Sequence, residues 1–265
     1  MPDAAPLPVS AVIIAHNEAE NIGRCLAPLV GLVAEILVID GHSTDATAAI
    51  AAQHGATVLP KDWAGYSATK NWGNAQAKYD WILSLDADEV VSDALAASLR
   101  AAALTPGRAY ALDRLTNYCG TWVRHSGWYP DWKVRLFDRR AARWRGEYVH
   151  ERLELDAGTE IIRLTGELLH YSYKNRTDHR ARIERYTTLA AQELHAKGKR
   201  IPFWKPLLSP AARFVRTYFV KSGWRDGATG WHISRENARM VRLKYRKVKA
   251  LRAAADVRLN GGSYL

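Results

Sequence analysis

The sequence has little of what would place it in a membrane or in an oxidising compartment. Only 2 cysteines occur among its 265 residues, and Cys25 and Cys119 lack metal-ligand spacing, so neither a disulfide framework nor a zinc site is expected. No apolar run approaches the roughly 20 residues that span a bilayer. The first four residues lack the basic and then apolar pattern of a signal peptide. We therefore expect a protein of the cytoplasm.

Acidic residues are scarce in the C-terminal third of the chain. Residues 174–258 contain 22 Lys and Arg against 6 Asp and Glu, a net charge of +16, whereas the whole chain carries +11. Apolar residues recur there at helical spacing, namely Leu207, Leu208, Ala211, Phe214, Val215, Tyr218 and Phe219. Basic amphipathic helices suit an anionic membrane surface, with Phe203, Trp204, Trp224 and Trp231 as candidate anchors. Alternatively, these helices pack on the rest of the chain or on a second subunit.

The N-terminal part alternates apolar runs with segments of helical character. The apolar runs lie at residues 9–15, 35–40, 56–60 and 81–84. Runs of this length and composition are typical of strands that are buried on both faces. The alternation predicts an α/β fold with a mostly parallel, right-handed central sheet, and ligands bind such sheets at the carboxyl ends of the strands.

Two aspartates follow the fourth apolar run, in Leu85–Glu89. Residues two apart on an extended strand point the same way, so Asp86 and Asp88 can converge on one hard cation, either Mg²⁺ or Mn²⁺. Two carboxylates leave coordination sites open for water and phosphate oxygens, which suits a nucleoside diphosphate. For an isolated pair of this spacing, two solvated aspartates in a turn are the alternative.

Ordered motifs around these aspartates resemble a known family. They are Val12–Glu18, Val38–Asp45, Lys70–Gly73 and Leu85–Glu89. Together they are similar to glycosyltransferase family 2, inverting enzymes with a GT-A fold. Two further segments, Gly127–Phe137 and Tyr148–Glu151, resemble a narrower branch that includes the lipopolysaccharide core β-1,4-glucosyltransferases.

The resemblance implies a domain organisation and an activity. Residues 1–175 would form the GT-A domain, and residues 176–265 a basic helical extension that contacts acceptor or membrane. The expected enzyme transfers a hexose, favouring glucose, from a UDP-sugar to a membrane-anchored glycolipid at the inner face of the cytoplasmic membrane. The favoured acceptor is an inner-core heptose of lipopolysaccharide; polyprenyl phosphate or another cell-envelope glycan is the alternative.

The resemblance also assigns roles to single residues. Asp40 would accept a hydrogen bond from the imide N–H of uracil, and Lys70 would contact the base or a phosphate. Asp86 and Asp88 would hold the cation against the pyrophosphate. The other residues expected in the nucleotide-sugar site are Ala15, Asn17, Glu18, Ala87 and Arg135. The alternatives are a loop or helix-cap role for Asp40 and a solvated surface position for Lys70.

An inverting transfer also needs a base that removes the proton of the acceptor hydroxyl. Asp131 is the first candidate, because the aromatic residues around it are expected to reduce its hydration and raise its pKa. These residues are Trp128, Tyr129 and Trp132, and they can alternatively form a small core beneath the loop. Glu151 is the second candidate base, and His150 is a candidate ligand of the metal or of a phosphate.

Nucleic-acid binding is the rival function from another class. A basic chain with Trp and Arg interleaved is typical of such proteins. No helix-turn-helix, zinc-finger or RNA-binding signature accompanies the charge in this sequence, so no nucleic-acid partner is expected.

Overall fold

The computed structural model describes residues 5–146, 151–198 and 201–261, which form two compact units. The first unit consists of the described residues of Met1–Leu115 together with Pro130–Tyr171. The second consists of Thr116–Tyr129 and the described residues of Ser172–Leu265. Residues 116–129, which the sequence analysis assigns to the first domain, therefore belong with the C-terminal helices.

Eleven strands are present among the described residues. In chain order they are β1 (Leu7–Ala15), β2 (Val33–Asp40), β3 (Thr57–Pro60), β4 (Trp81–Asp86), β5 (Glu89–Val91), β6 (Arg108–Tyr118), β7 (Thr121–Trp122), β8 (Trp132–Asp138), β9 (Ala142–Arg145), β10 (Arg152–Leu155) and β11 (Glu160–Tyr173). Nine of them form one sheet in the order β3-β2-β1-β4-β8-β6-β11-β5, with β7 beside β6. The strands β9 and β10 form a separate antiparallel hairpin.

The four strands predicted from the apolar runs pair in parallel, β3 with β2, β2 with β1, and β1 with β4. The strand β8 then runs antiparallel to both β4 and β6. Helices α1 (Ile22–Leu26), α2 (Thr47–Gln53), α3 (Tyr66–Gln76) and α4 (Asp93–Ala101) connect the early strands. The predicted α/β fold is confirmed.

The register of the parallel strands places the site. Val9, Val12 and Ile13 in β1 are almost fully buried, because the outer strands and the helices cover both faces. Asp40 at the end of β2 lies opposite Ala15, and Asp86 at the end of β4 lies opposite Ile14. Both aspartates are therefore at the carboxyl edge of the sheet, where α/β proteins bind ligands.

The second unit is mainly helical. It contains α5 (Arg176–Ala196), α6 (Lys205–Val215) and α7 (Gly227–Gly261), and α5 and α6 both pack on α7. A π-helical turn, Arg216–Val220, continues α6. None of the described helices has an apolar stretch long enough to cross a bilayer. The basic C-terminal extension is thus helical, as predicted.

Residues 116–129 join this unit through polar and aromatic contacts. Asp226 is buried and accepts hydrogen bonds from the backbone N–H of His125 at 3.1 Å and from Ser126 Oγ at 2.9 Å. The ring of Trp128 stacks on Tyr173 at 5.4 Å. For Trp128, the alternative of a small aromatic core beneath the loop is therefore the arrangement observed.

Candidate active site

The polypeptide turns sharply between the two aspartates of the Leu85–Glu89 motif. The strand β4 ends at Asp86, β5 begins at Glu89, and the backbone N–H of Asp86 donates to Glu89 Oε2 at 3.1 Å. Because Ala87 and Asp88 form this turn, the side chains of Asp86 and Asp88 do not follow the alternation of a single strand. The two carboxylates have different partners.

Asp86 is held between two buried cations. Lys70 Nζ lies 3.0 Å from Oδ1, and Arg135 Nη2 lies 2.7 Å from Oδ2. Only 1% of Lys70 and 4% of Arg135 is exposed. Burial by itself raises the pKa of Asp86, but Arg135 and Lys70 lower it by more, so that this pKa lies far below its usual range. Lys70 is therefore not the solvated surface lysine that the sequence allowed.

Arg135 links Asp86 to a second chain of ion pairs. Its guanidinium also lies 2.5 Å from Glu89, which is fully buried. Glu89 is 3.3 Å from Arg114, and Arg114 in turn is 2.8 Å from Asp131. Charges of opposite sign thus alternate from Asp86 to Asp131. A buried charge is tolerated only when it is paired and hydrogen-bonded, and this arrangement pairs each one.

Asp131 is anchored by two cations rather than by aromatic rings alone. Arg114 donates to Oδ2 through Nε and Nη2, and Lys133 Nζ is 2.9 Å from Oδ1. Burial raises the pKa of Asp131, but Arg114 and Lys133 lower it by more, and the net shift is downward. The expectation of a raised pKa was wrong, because it considered dehydration and omitted two neighbouring cations.

Glu151 is a second carboxylate partner of Lys70. The distance from Lys70 Nζ to Glu151 Oε1 is 3.2 Å, and Nζ also lies 4.5 Å from the centre of the Trp144 ring. Asn71 fixes Trp144, accepting from its backbone N–H at 3.0 Å and donating to its carbonyl at 2.8 Å. The structure thus brings Lys70, Asp86 and Glu151 together.

The Lys70–Gly73 motif also requires glycine for packing. A Cβ atom at Gly73 would lie 2.7 Å from Ile39 and 2.9 Å from Val12, distances that side chains do not tolerate. The absence of a side chain lets α3 approach the parallel strands closely. This approach places Lys70, one turn earlier in α3, beside the end of β4.

Asp88 has a histidine neighbour that the sequence analysis did not single out. His170 Nε2 lies 3.4 Å from Asp88 Oδ2, and both side chains are partly exposed. The antiparallel pairing of β11 with β5, in which His170 is opposite Glu89, brings them together. No sequence spacing could indicate this pair, because the two residues lie 82 positions apart in the chain. His150, the predicted third ligand, lies outside the described residues.

The Asp88 and His170 pair suits a divalent cation. A carboxylate oxygen and an imidazole nitrogen are both ordinary ligands of Mn²⁺, and their 3.4 Å separation is short enough for both to reach one small ion. Among the described residues, no group of three or more such side chains could hold a metal ion. Two protein ligands would leave coordination positions for water and phosphate oxygens.

The loops after β1 and β2 hold the other predicted nucleotide residues. Asp40 is buried and accepts from the backbone N–H of Ser43 at 3.0 Å and from its hydroxyl at 2.5 Å. Asn17 has a positive φ of 54°; its backbone N–H donates to Ser43 Oγ, and its Oδ1 accepts from Thr44 N–H. The N–H of Glu18 donates to Thr47 Oγ1 at 2.8 Å. Asp40 thus orders the loop after β2 and lies at the carboxyl edge of the sheet, and its expected bond to uracil stays a prediction.

Comparison with known proteins shows which family this sequence resembles. The model of Glycosyl transferase family 2 matches residues 10–153. The lipopolysaccharide core biosynthesis glycosyltransferase LpsC of Rhizobium meliloti (strain 1021) is 30% identical over 239 residues, which cover 85% of this chain and 86% of LpsC. The uncharacterized glycosyltransferase RP128 of Rickettsia prowazekii (strain Madrid E) is 25% identical, covering 84% of this chain and 80% of that protein.

A solved structure shares the fold across nearly the whole chain. The mannosyltransferase PcManGT of Pyrobaculum calidifontis, solved with GDP-Man and Mn²⁺, aligns with a TM-score of 0.51 and 14% identity, covering 93% of this chain and 89% of its own. This likeness concerns the fold, which is of the GT-A type. The chain belongs to glycosyltransferase family 2. The predicted family is confirmed, and so is the broader assignment of the chain as a glycosyltransferase.

Proposed function

We propose that this glycosyltransferase is a metal-dependent, inverting hexosyltransferase that uses a UDP-sugar, with glucose as the favoured hexose. The observation that carries the proposal is the carboxyl end of β4, where Asp86 pairs with the cations Lys70 and Arg135, and Asp88, two residues later, pairs with His170. Cations and a metal ligand pair at one edge are what a sugar nucleotide with two phosphates requires.

Asp88 and His170 would hold the cation, and its charge would offset the negative charge that develops on the departing nucleoside diphosphate. Asp86 has a different part in this proposal. Both of its oxygens accept from Lys70 or Arg135, so it fixes these cations rather than competing for the metal. Held in this way, Lys70 and Arg135 stay charged and oriented at the phosphate side of the site.

Asp131 is the proposed base. Its low pKa keeps it ionised at neutral pH, so it can accept the proton of an acceptor hydroxyl. Arg114 holds its carboxylate through two hydrogen bonds to Oδ2, which fixes the orientation of the base. Glu151 stays the second candidate, because its Oε2 has no hydrogen-bond partner among the described residues.

The acceptor is the part of the proposal that depends on the relatives. LpsC is described as a lipopolysaccharide core biosynthesis glycosyltransferase, and an inner-core heptose of lipopolysaccharide is the acceptor we favour. A polyprenyl phosphate or another cell-envelope glycan would present the same combination of lipid anchor and negative charge.

Calorimetric titration with UDP and with GDP, each in Mn²⁺ and in EDTA, tests the donor. GDP belongs in the experiment because the mannosyltransferase of the same fold was solved with GDP-Man. We expect binding of UDP that requires Mn²⁺ and is lost in the variant His170→Ala. Absence of binding to both nucleotides under every condition would refute the proposed donor site.

The second unit supports work at an anionic membrane surface. Large apolar side chains along α6 and the π-helical turn face solvent, with exposed fractions of 72% for Leu207, 59% for Phe219 and 71% for Val220. The opposite side of α6 packs internally, where Phe214 lies 5.1 Å from Trp231, ring centre to ring centre. The helix therefore packs on its own unit and still presents an apolar stripe outwards.

The charge around the exposed apolar stripe also favours an anionic membrane. No acidic residue occurs between Glu193 and Asp226. The exposed cations that flank the apolar stripe are Lys205, Arg213, Arg216, Lys221 and Arg225. An apolar stripe bordered by cations is typical of helices that lie in the plane of an anionic bilayer, and the location we propose is the inner face of the cytoplasmic membrane.

Vesicle flotation tests this surface. The protein should bind phosphatidylglycerol vesicles more tightly than phosphatidylcholine vesicles, and Phe219→Ser should weaken binding by about tenfold, because a buried aromatic side chain is lost from the bilayer. Ile161→Ser is the matched control, since Ile161 is 54% exposed but lies in the first unit. Equal binding of wild type and Phe219→Ser, or salt-dependent retention on RNA without vesicle binding, would refute this surface.

A further inference from the structure

An exposed aromatic pair stands beside the candidate site. Trp63 is 56% exposed and Tyr66 is 37% exposed, and their ring centres lie 4.7 Å apart in an edge-to-face arrangement. Among the described residues of the first unit, the other large apolar side chains with comparable exposure are the aliphatic Val30 and Ile161. Aromatic rings exposed together at one place are unusual, because their burial is strongly favourable.

The pair is anchored next to Asp40. The strand β3 ends at Pro60, which is the register partner of Asp40, and the backbone N–H of Lys61 donates to the carbonyl of Asp40 at 2.9 Å. One residue further along, Asp62 Oδ1 is 2.8 Å from His42 Nε2. Trp63 follows directly, so its backbone leaves the sheet at the same carboxyl edge.

The other end of the pair leads to the phosphate side of the site. Tyr66 is the first residue of α3, and Lys70 lies one turn later on the same face of that helix. Lys70 reaches Asp86 at 3.0 Å. In chain order, the two rings therefore lie between Lys61, which bonds to Asp40, and Lys70, which pairs with Asp86.

We infer that Trp63, supported edge-on by Tyr66, is the stacking platform for the nucleobase of the sugar donor. This inference rests on the proposed function and adds to it the residues that bind the base. A base has a flat apolar face and a polar edge, and this part of the chain offers one group for each, an exposed indole for the face and Asp40 for the edge. Stacking on an aromatic ring is tolerant of base identity, whereas Asp40 can select for the imide N–H of uracil.

The backbone conformation of residues 63–66 is consistent with the exposure of both rings. Gly65, between the two aromatic residues, has a φ of 89°, and nothing lies within 4 Å of the position of a Cβ atom there. A left-handed residue at this point lets the chain turn into α3 while Trp63 and Tyr66 stay in contact. The pair is thus positioned before any ligand arrives, which reduces the entropy lost when a base stacks on it.

Titration of Trp63→Ala, Trp63→Phe and Trp224→Ala with UDP, GDP and pyrophosphate in Mn²⁺ tests the inference. We expect Trp63→Ala to weaken binding of whichever nucleotide the wild type binds by roughly tenfold or more, and Trp63→Phe by less, since stacking contributes this much per base. Pyrophosphate binding should be unchanged. Trp224 is 57% exposed but lies in the second unit, so Trp224→Ala should bind nucleotide like the wild type.

Tryptophan fluorescence supplies a second readout that does not depend on activity. The nucleotide should quench the emission of the wild type, and part of that quenching should be missing in Trp63→Phe. Unchanged nucleotide affinity in Trp63→Ala, or weakened transfer with unchanged nucleotide affinity, would overturn the inference while leaving the donor site intact. If the wild type itself binds neither nucleotide, the proposed function fails first.

Discussion

The two units depart in opposite ways from the usual distribution of charged and apolar side chains. The first unit buries charge: Lys70 is 1% exposed, Arg135 4% and Glu89 0%. The second unit exposes apolar side chains, with 86% of Phe203 and 72% of Leu207 in contact with solvent. Folded proteins usually do the reverse. Each departure costs free energy unless something compensates for it, so each one indicates where the unit has a task beyond folding.

The compensation differs between the units. In the first, it is internal, because every buried cation named above has a carboxylate within 3.3 Å. In the second, nothing among the described residues covers Leu207, Phe219 or Val220. Internal pairing produces a rigid site for a small charged ligand, whereas an uncovered apolar stripe needs an external surface. Under the proposed function, the first unit would bind the donor and the second would bind the membrane.

The largest expected effect is on transfer when the proposed base of the first unit, Asp131, is replaced. Asp131→Asn should reduce transfer by about 10²–10⁴-fold, the usual contribution of a general base, and should leave UDP binding unchanged. Because Arg114 and Lys133 lower the pKa of Asp131, the group stays ionised down to unusually low pH, and the acid limb of the rate profile should lie below about pH 4. Initial rates with a glycolipid acceptor, measured across pH, provide the check.

Glu151→Gln separates the two candidate bases. If Asp131→Asn keeps nearly full activity while Glu151→Gln loses it, Glu151 is the base and Asp131 has a structural role. Calorimetry on both variants must show intact UDP binding for either conclusion to hold, because Glu151 also contacts Lys70.

The next largest effect concerns Asp88, which together with His170 forms the proposed metal-binding pair. Asp88→Asn should reduce transfer by about 10²–10³-fold, the range found when one electrostatic partner of a developing charge is removed, and should also weaken nucleotide binding in Mn²⁺. Asp93→Asn, an exposed aspartate in the first turn of α4, is the matched control and should behave like the wild type. If Asp88→Asn binds nucleotide in Mn²⁺ as tightly as the wild type, Asp88 is not a ligand of the metal.

A stability effect should follow from the buried ion pairs. Arg135→Met leaves Asp86 and Glu89 without their shared cation, and breaking a buried pair costs about 3–5 kcal/mol of folding free energy. Arg152→Met is the control, because Arg152 is 76% exposed and its partner Glu154 is 39% exposed, and exposed pairs of this kind contribute about 0–1 kcal/mol. Urea unfolding of both variants measures the difference, and equal losses would contradict a special role for the buried network.

The smallest expected effect is a difference between the two units in how folding stability depends on pH. His179 in the second unit is buried beside Tyr118, and burial lowers its pKa below the ordinary value. The unfolded chain then binds more protons than the folded one as the pH falls through about 6.5, so stability decreases towards acid. Asp86 in the first unit has a lowered pKa, so its protonation decreases folding stability only below about pH 4.

Thermal unfolding at about pH 7.5 and pH 5.5 tests this difference. The melting temperature of the wild type should fall by a few degrees between the two, and His179→Gln should show a smaller fall from its own lower starting point. His195→Gln, at the end of α5 in the same unit, should keep the wild-type dependence. An identical pH dependence in His179→Gln would assign the effect to another group.

The sequence by itself determined the elements whose signal is local. The four apolar runs predicted β1 to β4, because parallel strands are apolar along their whole length. The Leu85–Glu89 motif located the end of β4, and the excess of cations over residues 174–258 indicated a basic helical region. Each of these features depends on neighbours within about ten residues, which is the range that periodicity and composition can report.

Tertiary structure alone decided which side chains meet. His170 reaches Asp88 because β11 pairs with β5, and Arg114 lowers the pKa of Asp131 because the pairing of β6 with β8 brings the two side chains together. Trp128 packs against Tyr118 and Tyr173 in an aromatic core of the second unit. Electrostatic partners act over a few ångströms in space but come from strands far apart in the chain, so their effects follow the pairing of strands and not the order of residues.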